Sequence, residues 1–236
     1  RLYQRPVRLI RRLYTMIVTK RTQFDAYLDE LREALIAMGK EVEEAIQKAV
    51  VSLKEMNVPL AQSVINSDPK INEMEEKIEE IGTRIIATQQ PVAKDLRRII
   101  IAFRMAGDLE RMADLAVDIA KGTTRIETEG LIKPLVDIPR MAEIVQLMTN
   151  DSIQSYIRED VQLAYKMAQM DDEVDQLHSQ ILRELFTYIM ENSRHVNQAL
   201  QLCFVSRYLE RMADHATNIG ESVVYLVQGK RPDLND

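Results

Sequence analysis

Glu110, Asp114 and Asp118 stand at i, i+4 and i+8, and Glu210, Asp214 and Asn218 repeat that spacing one hundred residues later. On a helix such a set falls at about 0°, 40° and 80°, along one face. Rows of carboxylate and amide oxygens suit one chemistry above others, the binding of hard cations. The row is uncomfortable without one. Like charges at i, i+4 destabilise a helix by roughly 0.2–0.5 kcal/mol per pair, and burial raises that cost. Arg111 is the only base between residues 105 and 120, and one guanidinium cannot neutralise three acids.

The row belongs to a duplication. Leu-Glu-Arg-Met-Ala-Asp occurs at 109–114 and at 209–214, and Ile119 answers to Ile219 at the same offset of 100. Upstream the offset becomes 103, so that Asp68 to Met74 matches Asp171 to Leu177. The change falls near Gln89-Gln-Pro91, a loop, where a repeated unit tolerates a length change. Asp171 and Asp175 are a further i, i+4 pair; their counterparts, Asp68 and Asn72, carry one charge less. In an antiparallel hairpin these can converge on Glu210 and Asp214, or on Glu110 and Asp114. Leu109, Met112, Leu115, Ala116 and Ile119 lie opposite the stripe. Leu96, Ile100 and Phe103 continue it one or two turns earlier, as a seam that meets a neighbouring helix. The bland alternative is a solvated acidic face, the usual fate of such clusters.

Other chemistry is thin. His178, His195 and His215 show no i, i+4 pairing, and Asp175-x-x-His178 appears once where a di-iron bundle needs two such motifs. His215 reads as a surface residue. Cys203 occupies the position of Phe103 and reads as an apolar filler. Gly-rich phosphate loops and Gly-x-Ser-x-Gly are absent. No acid/base pair suggests catalysis, and the expectation is a protein that is not an enzyme.

The elements that position these residues are helices. From Phe24 to Met56 the apolar residues step by three or four, giving one long amphipathic helix. Ser67-Asp68-Pro69 reads as the start of a second, with Asp68 as cap. Pro91 opens a third, which Gly122 is expected to cap. Thr123 to Gly130 is polar and aperiodic. Pro139 opens the second half, Asp171-Asp172 caps its next helix, and the last runs from Val196 to Val227 with Gly229 as stop. The fold class is all-α: a tandem repeat of two antiparallel three-helix bundles, six long helices in all. The expected domains are residues 20–122 and 139–230, joined by a linker at 123–138.

Composition agrees. Gly and Pro number seven each in 236 residues, Trp is absent, and no apolar stretch approaches the 18 residues that cross a membrane. A single cysteine excludes an internal disulfide and fits the cytosol. Residues 1–19 read as a basic leader outside the fold, with Met16 as the expected native start; an amphipathic membrane-surface segment is the alternative. Taking the five positive charges of Arg1, Arg5, Arg8, Arg11 and Arg12 from a net charge of −6 leaves −11. So acidic a body is a poor partner for nucleic acid and a better one for cations or basic protein surfaces.

At Asp108-Leu-Glu-Arg-Met-Ala-Asp-Leu-Ala-Val-Asp118 and Tyr208-Leu-Glu-Arg-Met-Ala-Asp-His-Ala-Thr-Asn-Ile219, and at Pro91-Val-Ala-Lys-Asp-Leu-Arg97, the chain resembles the PhoU family of bacterial phosphate-transport regulators. The resemblance covers about residues 20–230. It implies a cytoplasmic, often dimeric negative regulator of phosphate uptake and of the phosphate-starvation response. Such a protein contacts the ATPase of the phosphate ABC transporter and a sensor histidine kinase, and meets the membrane only through partners. It also implies multinuclear clusters of iron, or of another cation such as zinc, manganese or magnesium, at Glu110, Asp114, Glu210 and Asp214, with Asp171 and Asp175 beside them. Asn72, where the second copy has Asp175, implies unequal sites. The competing reading is a metal-dependent helical-bundle enzyme, a hydrolase or oxidase, which would need open coordination positions and a substrate cleft.

Overall fold

The computed structural model describes the backbone of residues 4–126 and 130–234, with side chains from Thr22 onward. Seven α-helices follow one another: α1 (Gln4–Lys54), α2 (Val58–Gln89), α3 (Ala93–Arg125), α4 (Asp137–Arg158), α5 (Val161–Ala168), α6 (Asp171–Glu191) and α7 (Val196–Gln228), with a 3-10 turn at Ser193–His195. Among the described residues there is no strand. The chain is the expected helical bundle, and its two units are α1/α2/α3 and α4/α5–α6/α7.

Equivalent corners mark the duplication. Asn57 caps α2 by accepting a hydrogen bond from the Leu60 amide, and Asp160 caps α5 by accepting one from the Leu163 amide. Met56 and Glu159, each one residue earlier, both have φ of 52°. These are matching turns at the offset of 103, so α5 and α6 together correspond to α2. In the second unit the helix breaks at Gln169–Met170, whereas in the first it runs on through Pro69.

Several expected boundaries move. Asp68 is not a cap: α2 begins ten residues earlier, at Val58, because Asn57 supplies the stronger start and packing carries the helix past Pro69. The lost amide of Pro69 leaves the Ile65 carbonyl without its helical partner; Ser67 donates to the Val64 carbonyl in the same turn. Asp171 and Asp172 lie in the first turn of α6 rather than capping it, a placement the helix dipole also favours. Gly122 is interior to α3, with Gln201 and Val205 of α7 close beside it. Thr123, read as the start of a polar linker, is buried in α3 with its hydroxyl 3.3 Å from that of Ser52. The helix α1 is continuous from Gln4, so the residues read as a leader join it; Arg1 and the side chains of Arg5, Arg8, Arg11 and Arg12 lie outside the described residues. Gly229 does stop α7, at φ 73°.

One hydrophobic core runs through both units, built from Leu, Ile, Val, Met and Ala, with Leu35, Met38, Ile46, Met105, Leu109, Met112, Leu209 and Met212 among its fully buried members. Each such large side chain contributes about 1.5–3 kcal/mol by leaving water. The units join by α1 packing on α4 and α3 on α7. Gln146 donates to the Glu43 carbonyl in the first pair. In the second, Arg97 lies over the Tyr225 ring, Asp108 meets His215 and Gly122 lies beside Gln201. Each step forward along α3 is a step backward along α7. The antiparallel register therefore centres on Arg111–Met112 against Arg211–Met212, the middle of the repeated hexapeptide. The two units are related by a local pseudo-dyad through that point.

Candidate metal centre

The two acidic stripes lie along the seam between the second and third helical elements of each unit. In the first unit Phe103 packs against Gly82 of α2, and Glu75 lies 3.6 Å from where a Cβ on Gly107 would stand. Beyond them come Glu110, Asp114 and Asp118, which share the seam with Glu75 and Asp68. The apolar seam thus gives way to carboxylates within two turns. Glu110 has a side chain only 16% exposed and an Arg111 Nε at 3.4 Å; Arg111 also reaches Asp114 at 3.2 Å, and Lys121 reaches Asp118 at 3.2 Å.

In the second unit Asp171 and Asp175 of α6 face Glu210 and Asp214 of α7. Asp171 is 8% exposed. Burial, and then the charges of Asp175, Asp214 and Glu210, push its carboxyl up to about 7. Glu210 and Asp214 are raised too, by burial first and by each other or Asp175 next, against Arg207. Burial and neighbouring acids likewise raise Asp68, Glu75 and Glu110 in the first unit. Among the described residues three carboxylate oxygens, Asp68 Oδ1, Asp171 Oδ1 and Glu210 Oε2, are buried with no hydrogen-bond partner. A buried polar atom without a partner costs about 1–3 kcal/mol, more if charged.

These orphaned oxygens test the fit to a cation. The donor set fits: hard oxygens, excess negative charge and missing partners are what a divalent ion would satisfy. The arrangement is open, however. Among the described residues no three of the His, Cys, Asp and Glu side chains stand together around one point as an ion requires. A cation would have to draw them inward.

The sequence-nominated residues are thus divided between two separate seams. Glu110, Asp114 and Asp118 share one; Asp171, Asp175, Glu210 and Asp214 share the other. Asn218 stands apart from Glu210 and Asp214 in a cleft beside α3 and α7, with Arg104, Asp108 and Arg111, onto which Glu75 and Glu110 of the first seam also open. Sequence reasoning missed Glu75 altogether and treated Asp68 only as a weak counterpart and a cap. The signal was present, since Glu75 stands 103 residues before His178. His178 itself contacts the Ser206 hydroxyl at 3.0 Å, and burial, with Arg207 nearby, lowers its pKa. His215 is half-buried against Asp108 at 3.0 Å rather than free on the surface. Cys203 is half-buried, its thiol pushed up by burial.

With that geometry in hand, comparison with known proteins is decisive. The model of the PhoU domain matches this chain twice, at residues 35–123 and 138–223. The chain belongs to the PhoU family. A relative from Aquifex aeolicus, a phosphate-specific transport system accessory protein PhoU homolog, is 45% identical over 86% of this chain and 92% of its own. The protein of the same name from Clostridium acetobutylicum is 39% identical over 90% of this chain and 98% of its own. The crystal structure of PhoU from Pseudomonas aeruginosa superposes with a TM-score of 0.82 at 39% identity, covering 88% of this chain and 100% of that one. Both PhoU domains carry the hexapeptide, each on the helix that bears its acidic stripe.

Proposed function

We propose that this protein restrains phosphate uptake and the phosphate-starvation response, as an adaptor between the ATPase of a phosphate ABC transporter and a sensor histidine kinase. The observation that carries the reading is the PhoU domain matched twice, in relatives named as accessory proteins of phosphate-specific transport and covered over most of their length. Among the described residues no helix is long and apolar enough to cross a membrane, which supports a cytoplasmic protein that reaches the membrane through partners. Homodimerisation belongs to the same proposal.

Cations complete it. Iron, zinc, manganese or magnesium held by Glu110, Asp114 and Asp118 with Asp68, and by Glu210 and Asp214 with Asp171 and Asp175, would supply the charge that the orphaned oxygens lack. The protein's own part is to keep those acids crowded at two helix seams. Bound charge then stiffens each seam and biases which surface meets a partner.

The adaptor is tested by deleting the gene. Uptake and starvation genes should stay on in phosphate-replete medium, and intact repression overturns the reading. The metal is tested by elemental analysis of untagged protein and of the Glu110→Gln/Glu210→Gln double variant. Chelation should lower the melting temperature of the parent and not of the variant. Less than one ion per chain, with an unmoved melting curve, refutes it.

A further inference from the structure

The pseudo-dyad gives the chain two equivalent corners, each where one helix of the α3/α7 pair begins and the other ends. At one of them the start of α3 meets the end of α7 and the turn that follows α4. Arg97 lies over the Tyr225 ring at 5.3 Å, and Lys94 and Arg98 hold the Glu159 carboxylate between them, each at 2.5 Å. Cation, ring and carboxylate there all come from the chain itself.

The other corner departs from this residue by residue. At the offset of 100, Arg194 stands for Lys94, Gln198 for Arg98 and Arg125 for Tyr225; at the offset of 103, Met56 stands for Glu159. Two guanidiniums are present and the matching carboxylate is not. Arg125 and Arg194 line a recess of about 790 Å³ between the end of α3, residues 130–132 and the first turns of α7. Among the described residues neither has a carboxylate within ion-pair distance, and no Asp or Glu lines the recess. Gln198 is engaged in the wall, donating to the Gly130 carbonyl at 2.9 Å and accepting from the Ile132 amide. The helix α7 starts here without a side-chain cap, so the positive end of its dipole opens on the same space. Phe204, 50% exposed, lines the recess farther along α7, with the Asn197 and Gln201 amides between. From Val196 to Phe204 is about 12 Å at 1.5 Å per residue.

We infer that this recess binds a purine nucleotide, with its phosphates on Arg125 and Arg194 at the start of α7 and its base on Phe204. The phosphates play the part that Glu159 plays at the equivalent corner. A guanidinium meets two phosphate oxygens at once through its planar fork, and two of them without acids suit a diphosphate. The ring and the amides select a ligand that carries a planar, polar base, which inorganic phosphate lacks. The volume lies within the roughly 300–1,000 Å³ of small-molecule sites. A strand of nucleic acid offers the same base and phosphate, but a chain of net charge −6 repels the phosphates beyond the first. The inference goes beyond the adaptor reading and does not rest on it.

The test is fluorescence polarisation of methylanthraniloyl-ADP and methylanthraniloyl-GDP with the full chain, in EDTA so that no cation bridges phosphate to the acidic seams. The expected result is saturable binding of at least one probe. Its unlabelled nucleotide should displace it about tenfold more effectively than pyrophosphate, the nucleoside or a short single-stranded oligonucleotide. Arg125→Ala/Arg194→Ala and, separately, Phe204→Ala should each weaken binding about tenfold. Phe204→Tyr should retain it, and Arg104→Ala/Arg211→Ala, in the neighbouring cleft, should leave it unchanged. Circular dichroism confirms that each variant is folded. No saturable binding of either probe, displacement by pyrophosphate, nucleoside or oligonucleotide as effective as by the nucleotide, or affinity indifferent to Arg125 and Arg194 or to Phe204 would each overturn the inference. Derepression on gene deletion is read independently of all these outcomes, so the nucleotide site and the adaptor fail separately.

Discussion

Replacing Asp171 by Asn should stabilise the cation-free protein at pH 8 and have little effect below about pH 4. Asp171 is almost wholly buried, its Oδ1 has no hydrogen-bond partner among the described residues, and burial with the neighbouring acids pushes its carboxyl from 3.8 up to about 7. A folded-state value above the unfolded one means the native state holds the proton longer. Stability is then greatest below about pH 4 and declines as pH rises towards 7. A shift of that size corresponds to about 4 kcal/mol at full effect. Water at the rim and rotation of the side chain reduce the penalty to about 2 kcal/mol. Losing a negative charge from the first turn of α6 returns about 0.3–1 kcal/mol to the debit side, though Asp172 and Glu173 remain there. The net gain is about 1–2 kcal/mol, a rise of about 2–8 °C for a chain of this size. Thermal melts by circular dichroism at pH 8 and at about pH 3.5, with chelator throughout, measure it. An Asp171→Asn protein that melts at or below the parent at pH 8 would refute the reasoning, because burial would then not be penalising the charge.

Two further substitutions probe the scaffold. Gly82→Ala sets a methyl group against the Phe103 ring and Ile99 at the α2/α3 seam; it should cost about 1–3 kcal/mol in urea unfolding, and a neutral result would mean the seam is loose. Glu159→Ala removes the carboxylate that Lys94 and Arg98 hold across the unit boundary. Burial pushes Glu159 up, but those hydrogen bonds outweigh it and leave the pKa lowered. The cost should be about 2 kcal/mol at neutral pH. It should vanish as pH falls through the depressed value, and a difference that persists in acid would argue against the ion pairs as its cause.

The helical plan was legible because apolar residues at steps of three and four can be satisfied only one way, and because the hexapeptide repeats. Boundaries were less so. Asp68-Pro69 carries every mark of a helix start, yet local propensity of about 1 kcal/mol at a cap yields to the burial of Ala61, Val64 and Ile71 on both sides of it. Gly122 misled in the same way: its small size serves the close approach of α7, not a turn. The stripes were legible as stripes, but their depth was not. Depth depends on which helix covers the seam, and Glu75 enters the first site only through the antiparallel register of α2 against α3. The pseudo-dyad was hidden for the same reason, since an offset of 100 says that two units match and nothing about how they face.

Because the duplicated seams differ in burial and in composition, they should not load alike. The second holds Asp171 and the nearly buried Glu210, with His178 where the first has Glu75; the first holds the more exposed Asp114 and Asp118, already paired with Arg111 and Lys121. A cation entering the second seam must displace the proton that Asp171 keeps near neutrality. Binding there should release about half a proton per chain at pH 7 and strengthen as pH rises. Calorimetric titration with manganese, in two buffers of different ionisation enthalpy, reads that proton directly. Asp171→Asn should abolish the release and leave the first seam's binding in place. Equal proton release from parent and variant would mean that the cation does not meet Asp171, and the second seam would lose its claim as a metal site.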